Sequence, residues 1–174
     1  MSKQLHFDIL VIGSGAAGLT LALRLATDAR VAVLSKGSLT SGSTYQAQGG
    51  IAAVCDSQDS TQNHIQDTLI AGAQLSHQDA VTFTVNNGKA SIDWLIKQGV
   101  PFTRDTISNA LHLTKEGGHS HRRVVHASDA TGKAISETLV QQATKNSNIT
   151  LLPHLIAIDL ITRRKLRLAD NHCV

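Results

Sequence analysis

The chain has 174 residues, of which 41% are hydrophobic and 3% aromatic, and its 16 basic and 13 acidic side chains give a net charge of +3. This size and composition predict one globular domain with its own core. Scattered basic residues and few aromatic ones argue against a nucleic-acid partner, and no apolar run is long enough to predict a membrane span. Cys55 and Cys173 have neither metal-site nor redox spacing, which favours a reducing, cytoplasmic location.

The first 34 residues have the pattern of a βαβ unit. Residues 7–12 predict a fully buried parallel strand, residues 16–26 a helix, and residues 31–34 a second strand. A glycine-rich turn joins the first strand to the helix. A lone GxGxxG pattern is weak evidence, but these flanking elements together predict a Rossmann-type dinucleotide site.

Each glycine of the turn has a distinct expected role. Gly13 allows the tight bend, Gly15 lets the backbone approach a pyrophosphate, and Gly18 lets the helix pack on the strand. The acidic residue that usually ends the second strand and binds the ribose is replaced by Ser35, which can still form a hydrogen bond. Lys36 follows it and leaves open an NADP phosphate as the ligand.

A long loop rich in glycine, serine, threonine and glutamine follows at residues 37–50. Such a composition in isolation is typical of a flexible loop. Directly after a βαβ unit, it predicts contact with the cofactor instead. Residues 51–54 then form a short apolar segment.

The next segment has helical periodicity and predicts two or three short helices. Ser76 and Asp79 have the spacing of a capping pair. A further helix is predicted over residues 90–98, ending at the C-capping Gly99.

Residues 111–126 have no clear period and concentrate groups that carry chemistry. Glu116, Arg122 and Arg123 lie here with four histidines, namely His112, His119, His121 and His126. The spacing matches no zinc motif, so we predict no metal site.

The remainder predicts a helix followed by strands. Asp129 is the expected N-cap of a helix over residues 133–144, and residues 149–152 predict a strand. Residues 155–161 and 165–168 predict two further strands, the beginning of a β-meander.

Three segments together resemble the flavoprotein family of succinate dehydrogenase and fumarate reductase. They are GSGAAG from Gly13, SGSTYQAQGGIAA from Ser41, and HLTKEGGHSHRRVVHASDATG from His112. The resemblance covers essentially the whole chain and is greatest to the members that oxidise L-aspartate. It implies an α/β fold, a Rossmann-type FAD-binding domain with a parallel sheet and helices. Residues 1–174 would be the N-terminal part of that domain, which would be incomplete at its C-terminus.

The resemblance also implies how FAD is bound. The pyrophosphate would lie on residues 14–17, the adenosine end near Lys36, and the ribityl chain and isoalloxazine within residues 43–50. Ser43 stands where the respiratory members carry the histidine that attaches to the flavin, which implies non-covalent FAD. Gln46 replaces a frequent aromatic residue. The implied cofactor-binding residues are Gly13, Ser14, Gly15, Ala16, Ala17, Gly18, Lys36, Ser43, Thr44, Tyr45, Gln46, Ala47, Gln48, Gly49 and Gly50.

For the substrate, the resemblance implies that Glu116 binds the α-amino group of L-aspartate, which dicarboxylate substrates lack. The alternative for Glu116 is a solvated loop carboxylate. His119 and His121 would line the approach to the flavin or hold the loop. Arg122 and Arg123 would attract a dicarboxylate or form an ordinary charged surface.

The implied reaction is the oxidation of L-aspartate to iminoaspartate with oxygen or fumarate as acceptor, the first step of NAD biosynthesis. Contact with the next enzyme of that pathway is possible. The family's catalytic arginine, its capping domain and its C-terminal helical domain would lie beyond Val174. We therefore expect no turnover by the chain alone and an exposed apolar surface. Two alternatives are a non-catalytic FAD-binding fragment and a small NADP-binding reductase module.

Overall fold

A computed structural model describes residues 4–167 of the chain. The fold within this range is α/β, as predicted, and no helix in it is both long and apolar enough to cross a membrane. The elements in chain order are β1 (Ile9–Ile12), α1 (Ala16–Leu25), β2 (Val31–Leu34), α2 (Ser43–Gln46), β3 (Ile51–Ala52), α3 (Thr61–Ala71), α4 (Gln78–Gln98), β4 (Leu113–Thr114), β5 (Val124–Val125), α5 (Thr131–Lys145) and β6 (Ile149–Leu152).

The parallel sheet has the order β1-β2-β6, with Val31 of the central strand aligned with Ile9 on one side and Ile149 on the other. The β-branched and small residues of β2 are buried. Helices α1 and α5 cover the sheet through the buried Leu19 and Leu139. The predicted βαβ unit is confirmed, and the sheet is extended by β6.

Strand β1 is not fully buried, contrary to the prediction. Only Val11 lies in the core at 7% exposure, whereas Leu10 and Ile12 are 52% and 66% exposed. Within the described chain β1 is at the edge of the sheet, so part of its apolar surface has no covering element. The continuous apolar sequence of β1 therefore predicted more burial than the structure shows.

The helical region contains two helices, α3 and a continuous α4 of 21 residues. Residues 90–98 are the end of α4, and Gly99 caps it with a positive φ of 96°, as predicted. Ser76 does not cap this helix; the N-cap is His77, without a side-chain bond, and the Asp79 carboxylate accepts from the amide of Ala80. The polar residues in the middle of α4 lie on its exposed face. They interrupt the apolar pattern, so the sequence predicted separate short helices.

Helix α5 begins at Thr131, and its N-cap is Ala130 rather than the predicted Asp129. No side chain caps this helix. Instead, the Thr131 hydroxyl accepts a hydrogen bond from the amide of Ala127 in the preceding turn. The turn before α5 is thus closed by the buried Thr131 hydroxyl, and the exposed Asp129 within it does not cap the helix.

A small antiparallel sheet of order β3-β5-β4 adjoins the parallel one. Strands β4 and β5 form a hairpin in which Leu113 aligns with Val125 and Thr114 with Val124. The hairpin loop is residues 115–123. The histidine-rich segment without clear periodicity is therefore two short strands and the loop between them.

The predicted β-meander does not form within residues 4–167. Residues 155–161 follow a turn after β6, and the amide of Leu155 donates to the carbonyl of Ser35, which directs the chain across the end of β2. Ile158 is 95% exposed. Residues 165–167 form a turn, and residue 168 lies outside the described chain. The segment has the apolar composition of a strand, but no neighbouring strand within residues 4–167 pairs with it.

Candidate functional site

The glycine turn, residues 13–18, connects β1 to α1 and has the close packing that its sequence predicts. Gly13 has a φ of +115°, and a Cβ atom added there would meet nothing within 4 Å. A Cβ atom on Gly18 would lie 2.0 Å from the Gly13 carbonyl oxygen. The helix therefore packs directly on the turn, while the outer side of the turn stays open to a ligand.

The first turn of α1 fits an anion such as a pyrophosphate. The amide of Ala16 donates to the Thr44 hydroxyl over 3.1 Å, but the N-cap Gly15 supplies no side-chain cap. Within residues 4–167, the amides of Ala17 and Gly18 have no protein acceptor. Free amides at a helix N-terminus attract negative charge, and Gly15 leaves them accessible.

Two serine side chains at this site point into the protein. The Ser14 hydroxyl lies 3.0 Å from the Ser35 hydroxyl and donates to the Leu39 carbonyl at the same distance. Ser35 in turn contacts the Ser38 carbonyl, and both serines are buried. These hydroxyls therefore tie the glycine turn to the end of β2, and Ser14 would contact a cofactor through its backbone.

The 43–50 segment of the long loop is partly helical, since α2 forms where only loop was predicted. Ser43, Gln46, Ala47, Gln48 and Gly49 are exposed, whereas Thr44, Tyr45 and Gly50 are half-buried. A Cβ atom on Gly50 would lie 2.4 Å from the Val125 carbonyl oxygen. The absence of a side chain at Gly50 is thus explained by packing on β5, in addition to any cofactor contact.

Gly132 belongs to the same site but was missed by the sequence prediction. Its amide donates to the Ala47 carbonyl over 3.0 Å, and a Cβ atom there would lie 2.0 Å from the Thr44 carbonyl oxygen. The start of α5 therefore packs against α2, which itself contacts the start of α1. The available signal was a glycine in the first turn of a helix, where alanine would be favoured by about 1 kcal/mol.

Glu116 lies in a tight turn of the hairpin loop. The amide of His119 donates to the Glu116 carbonyl over 3.2 Å, and Gly118 has a φ of +83°, the left-handed geometry that a type II turn requires at this position. The Glu116 side chain is exposed and has no hydrogen-bond or ion-pair partner in the described part of the chain. It is therefore available to a ligand.

Arg123 is fully buried beside this loop, at 0% exposure, rather than exposed as a charged surface residue would be. Its guanidinium donates to both oxygens of Asp59 over 2.7 and 2.9 Å and to Asp67 over 2.6 Å. The Asp59 and Asp67 side chains are 1% and 15% exposed. Because all three groups are shielded from water, Arg123 is committed to these carboxylates and does not attract a substrate.

The pair of carboxylates stays ionised despite its burial. Burial raises the pKa of Asp59, but hydrogen bonds from Arg123 and the Ser60 amide outweigh this effect and hold the pKa below its usual range. For Asp67, burial acts in the same direction, and the hydrogen bonds from Ser120 and Arg123 lower the pKa far below the ordinary value. The cluster therefore remains charged at neutral pH.

The four histidines of this segment hold the loop and its flanks. Arg123 donates to the His119 Nδ1, and the His119 ring makes an edge contact with His64. His121 Nδ1 lies 2.8 Å from the Ser120 hydroxyl and 3.5 Å from Asp59. The remaining two, His112 and His126, contact each other over 2.8 Å at the far end of the hairpin. Residues 4–167 contain no group of three potential metal ligands.

Arg122 differs from its neighbour because it is exposed. It donates to the Leu113 carbonyl and, with Lys115 and His121, lines a cavity of about 260 Å³ that also borders Asp59. Of the two arginines, only Arg122 is therefore placed where it could meet a dissolved anion.

Comparison with known proteins identifies relatives of the chain. A sequence profile of the FAD binding domain family matches residues 8–173. L-aspartate oxidase from Pseudomonas aeruginosa is 56% identical over 180 residues, covering 100% of this chain and 34% of the relative. L-aspartate oxidase from Acinetobacter baylyi is 57% identical, covering 92% and 29%, respectively. The chain thus spans about a third of the length of the curated relatives it matches.

Solved structures show the same fold. A variant of the E. coli quinol fumarate reductase FrdA chain superimposes with a TM-score of 0.84 at 28% identity, over 92% of this chain and 28% of that one. The Mycobacterium smegmatis Sdh1 complex gives a TM-score of 0.81, also at 28% identity, over 89% and 29%.

Proposed function

The chain belongs to the FAD binding domain family, and from this premise we propose that it forms the cofactor-binding part of a flavin-dependent L-aspartate oxidase. Relatives bearing that name are 56% and 57% identical to it, far above its identity to the fumarate reductase. The observation that carries the substrate assignment is Glu116, an exposed carboxylate without a partner in the described chain, in an otherwise tightly anchored loop.

FAD is the cofactor of this family, and the described residues fit it. The open turn at Gly13 and the free amides of Ala17 and Gly18 would hold the pyrophosphate, and the exposed residues of the 43–50 loop would contact the flavin. We propose non-covalent attachment because Ser43 offers no imidazole. When bound, FAD accepts the hydride that leaves Cα of the substrate.

Glu116 would recognise the substrate amino group. A carboxylate forms charge-assisted hydrogen bonds with an ammonium group, and the unpaired Glu116 side chain would gain such bonds only from an amino acid. Succinate and fumarate present no amino group, so Glu116 would not favour them. The proton that leaves nitrogen and the hydride that leaves Cα together convert L-aspartate into iminoaspartate.

Oxygen or fumarate is the proposed electron acceptor, and the reaction would be the first step of NAD biosynthesis.

A cytoplasmic location is proposed because Cys55 is a free, half-buried thiol, as expected in a reducing compartment. The pKa of this thiol is raised by its burial, so it is mostly in the less reactive protonated form.

The proposal is tested with the full-length protein that contains this chain, purified with FAD. We expect peroxide production from L-aspartate and none above background from L-glutamate or succinate. The Glu116→Gln variant should bind FAD normally but have a KM for L-aspartate raised by roughly 10-fold or more, since a charged hydrogen bond to the ammonium is lost. Equal activity on succinate and L-aspartate would refute the proposed substrate class.

A further inference from the structure

We infer that Asp67, together with Asp59 and Arg123, positions Glu116 by fixing the hairpin loop on α3. These are positioning residues, because they contact the loop and not the substrate. The inference rests on the proposed role of Glu116 in binding the substrate amino group. It assigns a role in that binding to two carboxylates located 49 and 57 residues earlier in the chain.

Asp67 is the point where the loop is attached to α3. Its Oδ2 atom accepts hydrogen bonds from the Ser120 amide and the Ser120 hydroxyl, both over 2.7 Å. The same oxygen accepts from Arg123 over 2.6 Å. One carboxylate oxygen thus binds the backbone of the loop, a side chain of the loop and the buried guanidinium at the base of β5.

The loop is short between its fixed points. On one side of Glu116, Thr114 pairs with β5, and its carbonyl accepts from the amide of Arg123. On the other side, Ser120 is held by Asp67. Between these points, the turn closed by His119 shortens the path further. Glu116 therefore has little backbone freedom even though its side chain is exposed.

Stability alone does not account for such a cluster. Two carboxylates and one guanidinium must be taken out of water, and well-packed apolar residues of the same volume often give equal or greater stability. A buried ionic cluster instead imposes direction, because each hydrogen bond requires a particular geometry. Here the geometry of these hydrogen bonds fixes the position of the loop relative to the rest of the domain. Glu116 is positioned with the loop.

The test compares Asp67→Ala with the milder Asp67→Asn in the FAD-loaded full-length protein. We expect both to raise the KM for L-aspartate, Asp67→Ala by roughly 10-fold, which is within the loss of up to about 100-fold that a misplacement of about 1 Å can cause. The inhibition constant of succinate, which lacks an amino group, should change less than about twofold. Asp93→Ala on α4 removes an exposed carboxylate and is the matched control.

Two further measurements separate positioning from a general structural role. The Glu116→Gln/Asp67→Ala double variant should have the same KM as Glu116→Gln alone, because a displaced glutamate and an absent one are equivalent. Trypsin should also cleave after Lys115 faster in both Asp67 variants than in the unmodified protein, because the loop is released from α3.

The outcomes distinguish the two proposals. A normal KM in Glu116→Gln would overturn the proposed role of Glu116 itself. A raised KM in Glu116→Gln, with unchanged KM and unchanged cleavage in both Asp67 variants, would overturn only the positioning role. Equal weakening of L-aspartate and succinate, additive with Glu116→Gln, would likewise contradict positioning, because it would show that Asp67 supports the fold alone.

Discussion

The glycine turn and the hairpin loop are both held in fixed positions, but by different interactions. The turn is fixed by backbone atoms in close contact, as at Gly18 against Gly13, and its side chains are small. The loop is fixed by long charged side chains, with Arg123 buried between Asp59 and Asp67. The glycine turn depends on the absence of side chains at its contact points, and the hairpin loop depends on paired charges.

This difference determines how each region responds to change. A methyl group added at a backbone contact cannot be accommodated, because the main-chain atoms on both sides are fixed by secondary structure. A buried charge cluster is instead destabilised most by the removal of one partner, because the remaining charges are then left buried and unpaired. Substitutions in the glycine turn and in the hairpin loop should therefore lower stability for different reasons.

The largest effect is expected for Gly18→Val. Its Cβ atom would lie 2.0 Å from the Gly13 carbonyl oxygen, so α1 must move away from β1 or the protein must unfold. We expect a loss of more than about 4 kcal/mol in the free energy of unfolding, measured by urea denaturation, and loss of FAD binding. Gly42→Ala is the control, since a Cβ atom there meets nothing within 4 Å. Equal stability of the two variants would show that the contact between Gly18 and Gly13 does not fix the turn.

Arg123→Ala should follow. It leaves two carboxylates facing each other in a buried site without their cation, and such a change costs about 3–5 kcal/mol. The urea midpoint of the variant would show this, with Arg30→Ala as control because the Arg30–Asp8 pair is exposed. If the two arginine variants lost the same stability, the hairpin loop would not depend on a buried charge cluster.

Acid should weaken the hairpin cluster in a defined range of pH. The pKa values of Asp59 and Asp67 are below 3.8 in the folded protein, so the unfolded chain takes up protons first as the pH falls. Their contribution to stability is thus present above about pH 4 and is lost below it. Denaturation at a series of pH values should show a steeper decline below pH 4 in the unmodified protein than in Asp67→Asn; parallel curves would count against the cluster.

The smallest expected effect concerns His64, which is buried with its Nδ1 atom unpaired in the described chain. Burial, followed by the charge of Arg123, lowers the pKa of His64 below 6.5. Protonation therefore favours the unfolded chain, and stability should fall as the pH drops below about 6.5, by less than about 1.4 kcal/mol per pH unit. His64→Leu should remove this slope, as measured by thermal unfolding between pH 5 and 7, and persistence of the slope would exclude His64 as its source.

The sequence predicted the glycine turn better than the hairpin loop, and the reason is physical. Gly13, Gly15 and Gly18 act within six residues of one another, so local spacing contains their geometry. The partners of Arg123 lie 56 and 64 residues away, and no local pattern distinguishes a buried arginine from an exposed one. Arg122 and Arg123 are adjacent and identical in type, yet only one is buried.

The errors in the fold have a similar origin. Residues 155–161 have the apolar character of a strand, but a strand requires a partner, which the sequence does not identify. Gly132 was overlooked because its contact, the 43–50 loop, lies more than 80 residues away in the chain. The resemblance of whole motifs supplied what periodicity lacked, since it placed the loop, the hairpin and the glycine turn in one site.

Titration of the full-length apoprotein with FAD and with NADPH shows whether the glycine turn and the 43–50 loop form an FAD site. Flavin fluorescence and calorimetry should show saturable 1:1 binding of FAD, released by acid precipitation as expected for a non-covalent complex, and no binding of NADPH in the same concentration range. A Gly15→Val variant should lose this binding. Preferential binding of NADPH, or FAD binding unchanged in Gly15→Val, would show that the glycine turn and the 43–50 loop do not form an FAD site.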